Sequence, residues 1–165
     1  MNLSWHDLKL PEAGKTITVE GVSPGLDGLL LYDLASRHHG QLVHISVNDA
    51  AMVETESSLL ALGMPAEQIL RFPAWDCLPY DRVSPSSALI GQRIKALSML
   101  ASGQFGHGII LTTMNAWLQK HPKPDYFTTG SIELTAGGHV GQSAFTTYAE
   151  ANAYQRTNTV REPGE

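Results

Sequence analysis

Short runs typical of strands alternate with segments of helical spacing along most of the sequence. Four short runs rich in β-branched or apolar residues are typical of strands: KTITVEGV (15–22), QLVHISV (41–47), ILRF (69–72) and GHGIILTT (106–113). The segments between them place apolar residues at helical spacing. Because strands that alternate with helices form a parallel sheet covered on both faces, the sequence predicts an α/β fold.

The predicted helices carry signals at their ends. The first begins at Leu26 and would end with Gly40 as its C-cap, and the second has Asn48 as N-cap and is closed by Gly63. A short helix follows the last strand, in MNAWLQK (114–120).

The third helix is predicted to run to Ala101, with Ser84 as N-cap and Pro85 at its first position. Its apolar stripe should consist of Leu89, Ile90, Ile94, Leu97 and Leu100.

The pattern changes after Asp125. A strand with a glycine turn is expected in residues 126–140, a helix capped by Ser143 in residues 142–154, and an exposed polar strand in residues 155–165. We therefore predict two units. Residues 1–122 form the α/β domain, and residues 123–165 begin a small α+β domain that the chain does not finish.

Composition limits the classes of function. Among 165 residues, 42% are apolar and 16% charged, which is enough apolar material for a core. The net charge is −5, and the eleven Lys and Arg residues are scattered. A basic groove for nucleic acid is therefore not expected.

Cysteine and histidine residues offer no metal or disulfide pattern. Cys77 is the only cysteine, so no internal disulfide can form. His38, His39 and His44 lack the spacing of zinc ligands, and the first two follow a helix end, where imidazole suits the dipole. No metal is expected. The start of the sequence lacks a signal-like apolar region and no run is long enough to span a bilayer, so a cytoplasmic protein is expected.

The glycine turn GVSPGLDG, with Gly21 and Gly25, stands where a nucleotide-binding protein would carry its P-loop. Leu26 replaces the second glycine of that motif, Asp27 replaces the lysine and Gly28 replaces the hydroxyl residue. An aspartate would repel triphosphate, so we expect neither ATP nor another cofactor. The alternative reading is an ordinary turn between a strand and a helix.

No catalytic residue is predicted. Cys77 has no evident activating partner, and the G-x-S-x-G motif of serine hydrolases is absent. Asp76 and Asp81 could in principle act as an acid and base pair, but Asp81 beside Arg82 is more simply explained by turn chemistry and a surface ion pair.

The segment FPAWDCLPYDRVSPSSALIGQRIKALSML (72–100) resembles the bacterial transcription-repair coupling factors (Mfd). In that family a strand leads into an FP-x-W-[DE]-x-LPYD-x-x-SP segment and then a helix with an internal arginine, here Arg93. Three further features agree. GVSPGLDG stands where the related protein UvrB has a true P-loop. Tyr80 leads directly to Ser84, where UvrB inserts an aromatic DNA-probing hairpin. YQRTNTVREPGE (154–165) resembles the strand that enters the family's UvrA-contacting domain.

The resemblance implies an N-terminal, UvrB domain 1a-like module, which is a degenerate P-loop NTPase-like fold, followed by the start of the UvrA-binding domain. Such a module would be noncatalytic, would help to recruit UvrA in nucleotide excision repair at a stalled RNA polymerase, and would pack against other domains to restrain the motor. The full-length protein would be an ATP-dependent DNA translocase, reaching RNA polymerase and DNA only through domains outside this chain. The resemblance assigns contact with UvrA to Arg156, Arg161 and Glu162.

Two other functions stay open at this point. A UvrB-like DNA-binding module without ATPase activity is opposed by the net charge and by the missing hairpin. A small metabolic α/β enzyme would need ligands at the carboxyl ends of the strands. The segment at 72–87 itself is predicted to be a structural wrap. Prolines should extend its path and aromatic or apolar side chains should anchor it to the core, namely Pro73, Pro79 and Pro85, and Phe72, Trp75, Leu78 and Tyr80.

Overall fold

The computed structural model describes residues 11–23, 25–77, 82–129, 132 and 134–160. Its sheet has three parallel strands, β1 (Gln41–Ser46), β2 (Ile69–Phe72) and β3 (Gly108–Thr113), in the order β1-β3-β2. The helices are α1 (Leu26–Arg37), α2 (Asp49–Ala61), α3 (Ser87–Ala101), α4 (Met114–Leu118), α5 (Pro124–Thr129) and α6 (Gln142–Ala151), and a 3-10 turn spans Ala66–Gln68. The predicted α/β class is confirmed.

The core has two layers, one on each face of the sheet. All six residues of β3 are buried, because this strand lies between β1 and β2. Successive side chains of a strand point to opposite faces. Ile109 and Leu111 therefore pack with α1 and α2, whereas Ile110 packs on the opposite face with Ala96 of α3.

Helix α2 ends as its sequence predicts. The Asn48 side chain accepts a hydrogen bond from the Ala51 amide at 2.8 Å, which caps the N-terminus. At the other end, Gly63 has a φ of 91°, and the Met64 amide donates to the Leu59 carbonyl at 3.0 Å. This is a Schellman ending, and the buried side chains of Leu59 and Met64 share one core cluster.

The predicted C-cap of α1 is wrong. The helix ends at Arg37, and His38 is the C-cap in extended conformation, with its amide bonded to the Leu34 carbonyl. Gly40 instead leads directly into β1, and the His38 ring lies over it. The histidine ring takes the space that a side chain at position 40 would need.

The start of α3 also differs from the prediction. Ser86, not Ser84, is the N-cap, and Pro85 precedes the helix. The predicted apolar stripe is rotated, since Ile94 is 50% exposed while Arg93 and Ala96 are the fully buried positions. The buried face is centred on Arg93, a charged residue that the spacing of apolar residues alone does not predict to be buried.

The predicted first strand is wrong. Residues 15–22 form no strand, and Ile17 and Val19 are exposed. β-branched residues favour a strand because they pack against neighbouring strands. In the described part of the chain β1 is an edge strand and pairs only with β3.

After α4 the structure is helical where strands were expected. Residues 124–129 form α5, because Pro124 suits a first helical position and Asp125 suits the first turn. Helix α5 packs against α3, with Phe127 buried. The expected glycine turn is present, with the Gly138 amide bonded to the Thr135 carbonyl at 2.9 Å.

The other described residues of this part form no strand, including 155–160. Helix α6 has Gly141 rather than Ser143 as its N-cap. The division at residue 122 stays a prediction. Among the described residues, no helix combines the length and apolar character needed to cross a lipid bilayer.

Helices α1 and α2 approach each other closely at Gly28. A Cβ atom added to Gly28 would lie 2.6 Å from the Cβ of Ser58, and Gly28 is buried. Because Ser58 is held by its own helix backbone, any side chain at position 28 would push the helices apart. The hydrogen atom of glycine is thus a packing requirement here.

We expect Gly28→Ala to lower the free energy of unfolding by about 1–3 kcal/mol, because overpacking outweighs the better helix propensity of alanine. Gly91→Ala is the matched control, since Gly91 lies on α3 with no atom within 4 Å of an added Cβ. That change should stabilise the chain by about 0.5–1 kcal/mol. Urea denaturation of both variants measures the difference, and equal stabilisation by both changes would contradict the packing role.

Candidate functional site

The glycine turn before α1 has a backbone conformation that glycine adopts readily. Gly21 has a φ of 74° and Gly25 a φ of 87°, both in the left-handed region. Gly25 is the N-cap of α1 and provides no side-chain cap. The turn therefore directs the chain into α1 through its backbone alone. Pro24 lies outside the described residues.

Asp27, which the sequence predicts to stand at the place of a P-loop lysine, lies in the first turn of α1. Its Oδ2 accepts a hydrogen bond from the buried Thr55 hydroxyl of α2 at 3.0 Å. A carboxylate also interacts favourably with the positive N-terminal end of a helix dipole. Asp27 thus places a negative charge at the N-terminus of α1, and Gly28 beside it contacts α2.

His44 lies on β1, on the same sheet face as Leu42, which packs against the α1 and α2 cluster. Burial lowers the pKa of His44, and the negative charge of Asp27 partly opposes this effect by raising the pKa. Burial is the larger cause, so the imidazole is favoured in its neutral form.

Arg93 of α3 is enclosed by the segment that follows β2. Its guanidinium carbon lies 4.3 Å from the ring centre of Phe72 and 4.4 Å from that of Trp75. Nη1 donates a hydrogen bond to the carbonyl oxygen of Pro73. Arg93 is only 1% exposed, and burial lowers its pKa. The cation is therefore held between two aromatic faces, out of water.

Polar contacts fasten the same segment to its surroundings. The Thr112 hydroxyl of β3 donates to the Phe72 carbonyl at 2.8 Å. The Trp75 amide donates to Oε1 of Gln119 at 3.1 Å, and the Asp76 carboxylate accepts from the Ser86 amide at the start of α3. These contacts join the segment to the sheet, to α3 and to the end of α4.

The described residues 72–77 thus form a wrap around the edge of the core, with Phe72 and Pro73 buried. Leu78, Pro79, Tyr80 and Asp81 lie outside the described residues. Arg93 is named in the sequence analysis only because it is part of the family motif. Its burial could also have been predicted from a second signal, its position at the centre of an apolar helical stripe.

Of the three residues predicted to contact a protein partner, the structure describes Arg156. It is exposed and lines an open groove beside α6, together with Phe145 and Tyr154. Arg161 and Glu162 lie outside the described residues. The aromatic residues of this groove were not predicted from the sequence, because an aromatic residue on a helix, such as Phe145, is as typical of a buried helix face as of an open one.

Histidine residues do not cluster in the described ranges. His38 and His39 follow the end of α1, His39 being exposed. Within those ranges no three His, Cys, Asp or Glu side chains form a group that could hold a metal ion. Cys77 is a free thiol of intermediate exposure.

Arg93→Lys should lower the free energy of unfolding by about 1–2 kcal/mol, because lysine lacks the planar cation that stacks between Phe72 and Trp75. Lys95→Arg, the opposite exchange at an exposed position of the same helix, should change stability little. Guanidinium denaturation followed by tryptophan fluorescence measures both. A loss for Arg93→Lys no larger than for Lys95→Arg would argue against the stacking role.

The free energy of unfolding should decrease as the pH is lowered, because of His44. Its folded pKa lies below the ordinary value of 6.5, so below that pH the unfolded chain takes up the proton more readily and unfolding becomes more favourable. We expect His44→Gln to reduce the loss of stability between about pH 7.5 and pH 5.5. The exposed His39→Gln serves as the control, and thermal unfolding at both pH values is the measurement. The same pH dependence in both variants would exclude His44 as the cause.

Several known proteins are similar to this chain in sequence. No protein-family model matches the chain. It is 26% identical over 144 residues to the transcription-repair-coupling factor of Haemophilus influenzae, an alignment that covers 87% of this chain. The corresponding protein of Escherichia coli is 25% identical over 138 residues, or 82% of this chain. That of Myxococcus xanthus is 30% identical over 105 residues, or 61% of this chain.

The chain spans only a small part of these relatives, since the alignments cover 12%, 12% and 9% of their lengths. The similarity concerns one region of much longer proteins. Along most of its own length, the chain is similar to the transcription-repair coupling factors, and the resemblance predicted from its sequence is confirmed.

Proposed function

We propose that the chain is a noncatalytic N-terminal module of a transcription-repair coupling factor. In this role it contributes to the recruitment of UvrA during nucleotide excision repair at a stalled RNA polymerase, and to the restraint of the motor. The observation that carries the proposal is the sequence similarity to such a factor over 87% of the chain. The module acts in the cytoplasm as part of a longer protein.

The geometry of the glycine turn supports a noncatalytic role. Asp27 brings a carboxylate to the N-terminus of α1 and is bonded to Thr55, while Gly28 is occupied in the contact with α2. A bound triphosphate would meet this negative charge, and the turn offers it no lysine. ATP hydrolysis and DNA translocation therefore belong to other domains of the full-length protein, which also contact RNA polymerase and DNA.

The position of Arg156 supports the contact with UvrA. Its side chain is exposed and lies beside exposed aromatic residues, and a planar guanidinium pairs well with a partner's carboxylate. Arg161 and Glu162 follow it closely in the sequence and extend the proposed contact. Aromatic residues and arginine together are typical of the residues that dominate protein interfaces.

The affinity of the full-length protein for UvrA tests this proposal. We expect Arg156→Ala and Arg161→Ala each to weaken binding about tenfold, which corresponds to about 1.4 kcal/mol for one important interface residue. Arg82→Ala removes an exposed arginine that does not line the groove of Arg156 and should leave the affinity unchanged. Biolayer interferometry with immobilised UvrA provides the measurement.

Two results would contradict the proposal in different ways. Unchanged affinity in both variants would remove these arginines from the interface while leaving the function in place. No binding of UvrA by the unmodified full-length protein would refute the recruitment role itself.

A further inference from the structure

Residues 73–77, the part of the wrap that follows β2, are held by polar contacts that differ in burial. The Asp76 carboxylate accepts from the Ser86 amide at 3.3 Å, and this hydrogen bond is exposed to solvent. The Trp75 amide donates to the Gln119 side chain at 3.1 Å in a partly buried place. Because water competes for hydrogen bonds that it can reach, these two contacts contribute only modestly to holding the segment in place.

Arg93 provides the buried contact of the segment. Its guanidinium carbon lies 4.4 Å from the ring centre of Trp75, and Nη1 donates a buried hydrogen bond to the Pro73 carbonyl. The same guanidinium also lies over the ring of Phe72, which belongs to β2 and pairs with β3. Arg93 therefore joins residues 73–77 to the end of a strand that is fixed in the sheet.

The closed segment leaves part of the Arg93 guanidinium without hydrogen bonds. Arg93 is 1% exposed, and within the described part of the chain its Nε and Nη2 have no hydrogen-bond partner. Buried donors of a charged group are unfavourable when no acceptor faces them, because they have given up their hydration. Opening of the segment would let water reach both atoms. The residue that holds the segment closed is thus also the one that gains hydration when the segment opens.

The sheet beneath the segment has no comparable gain from opening. All six residues of β3 are buried, and β2 pairs with β3 along its four residues. Separating these strands would expose the apolar core on both faces. Local opening is expected where apolar contacts are few and hydrogen bonds are partly exposed. Residues 73–77 meet this condition, since only Ala74 and the buried Pro73 add apolar contacts there.

We propose that residues 73–77 open and close as a unit while the sheet stays folded, and that Arg93 is the latch that sets how often they open. In the closed state Phe72 and Trp75 enclose the cation. In the open state the Trp75 ring leaves Arg93, and solvent reaches the guanidinium. The opening is a property of the fold and requires neither UvrA nor nucleotide.

Hydrogen exchange of the Trp75 amide in the full-length protein tests the proposal. We expect this amide to exchange faster than that of Leu111 in β3, at a rate that low concentrations of urea hardly change. A local opening exposes little surface, so its free energy depends weakly on urea, whereas exchange at Leu111 requires unfolding and should accelerate steeply. The same rate and the same urea dependence at both amides would overturn the proposal, because the segment would then open only together with the sheet.

Two variants test the role of Arg93. We expect Arg93→Lys to accelerate exchange at Trp75 about five- to thirtyfold and to keep its weak urea dependence, since lysine has no planar cation to stack on the rings. Lys95→Arg, at an exposed position of the same helix, should leave the exchange unchanged. Equal exchange at Trp75 in both variants would show that another contact holds the segment, and Arg93 would not be the latch. The comparison of Trp75 with Leu111 in the unmodified protein does not depend on the folding of either variant.

Discussion

The burial of β3 on both faces is the constraint on which the rest of the structure depends. This strand is flanked by β1 and β2, and its alternate side chains divide the core into two layers. One layer requires α1 and α2, and the other requires α3. Both faces of the central strand must be covered by helices, and this requirement sets where the glycine turn and the wrap can lie.

The residues of the glycine turn before α1 take part in the packing of two helices. Gly28 lets α1 approach α2 at Ser58, and Asp27 accepts a hydrogen bond from Thr55 on the same helix. The residues that the sequence compares with a P-loop therefore hold two helices together. Because their side-chain and backbone contacts are within the protein, the turn has a structural reason to persist that does not involve nucleotide.

The wrap after β2 encloses a buried cation and is also held by polar contacts with Thr112, Gln119 and Ser86. Arg93 stacks between Phe72 and Trp75 and donates to the Pro73 carbonyl, so one side chain of α3 contacts three residues of the segment. Burial of a charge is costly unless its environment compensates, and the two aromatic faces contribute part of that compensation. The segment that carries the family resemblance is thus also the one that joins α3 to the edge of the sheet.

The sequence by itself determined the α/β class, the three strands of the sheet, both ends of α2 and the family resemblance. These features follow from local periodicity, from capping chemistry at Asn48 and Gly63, and from a motif that is contiguous in the chain. Only the tertiary structure decided the rest. Residues 15–22 have strand propensity but pair with no strand in the part of the chain that the structure describes, and the buried face of α3 is centred on Arg93 because two aromatic rings receive its charge. The groove at Arg156 likewise depends on which pieces of the chain meet in space, and the spacing of aromatic residues along a helix does not tell whether they will be covered or left open.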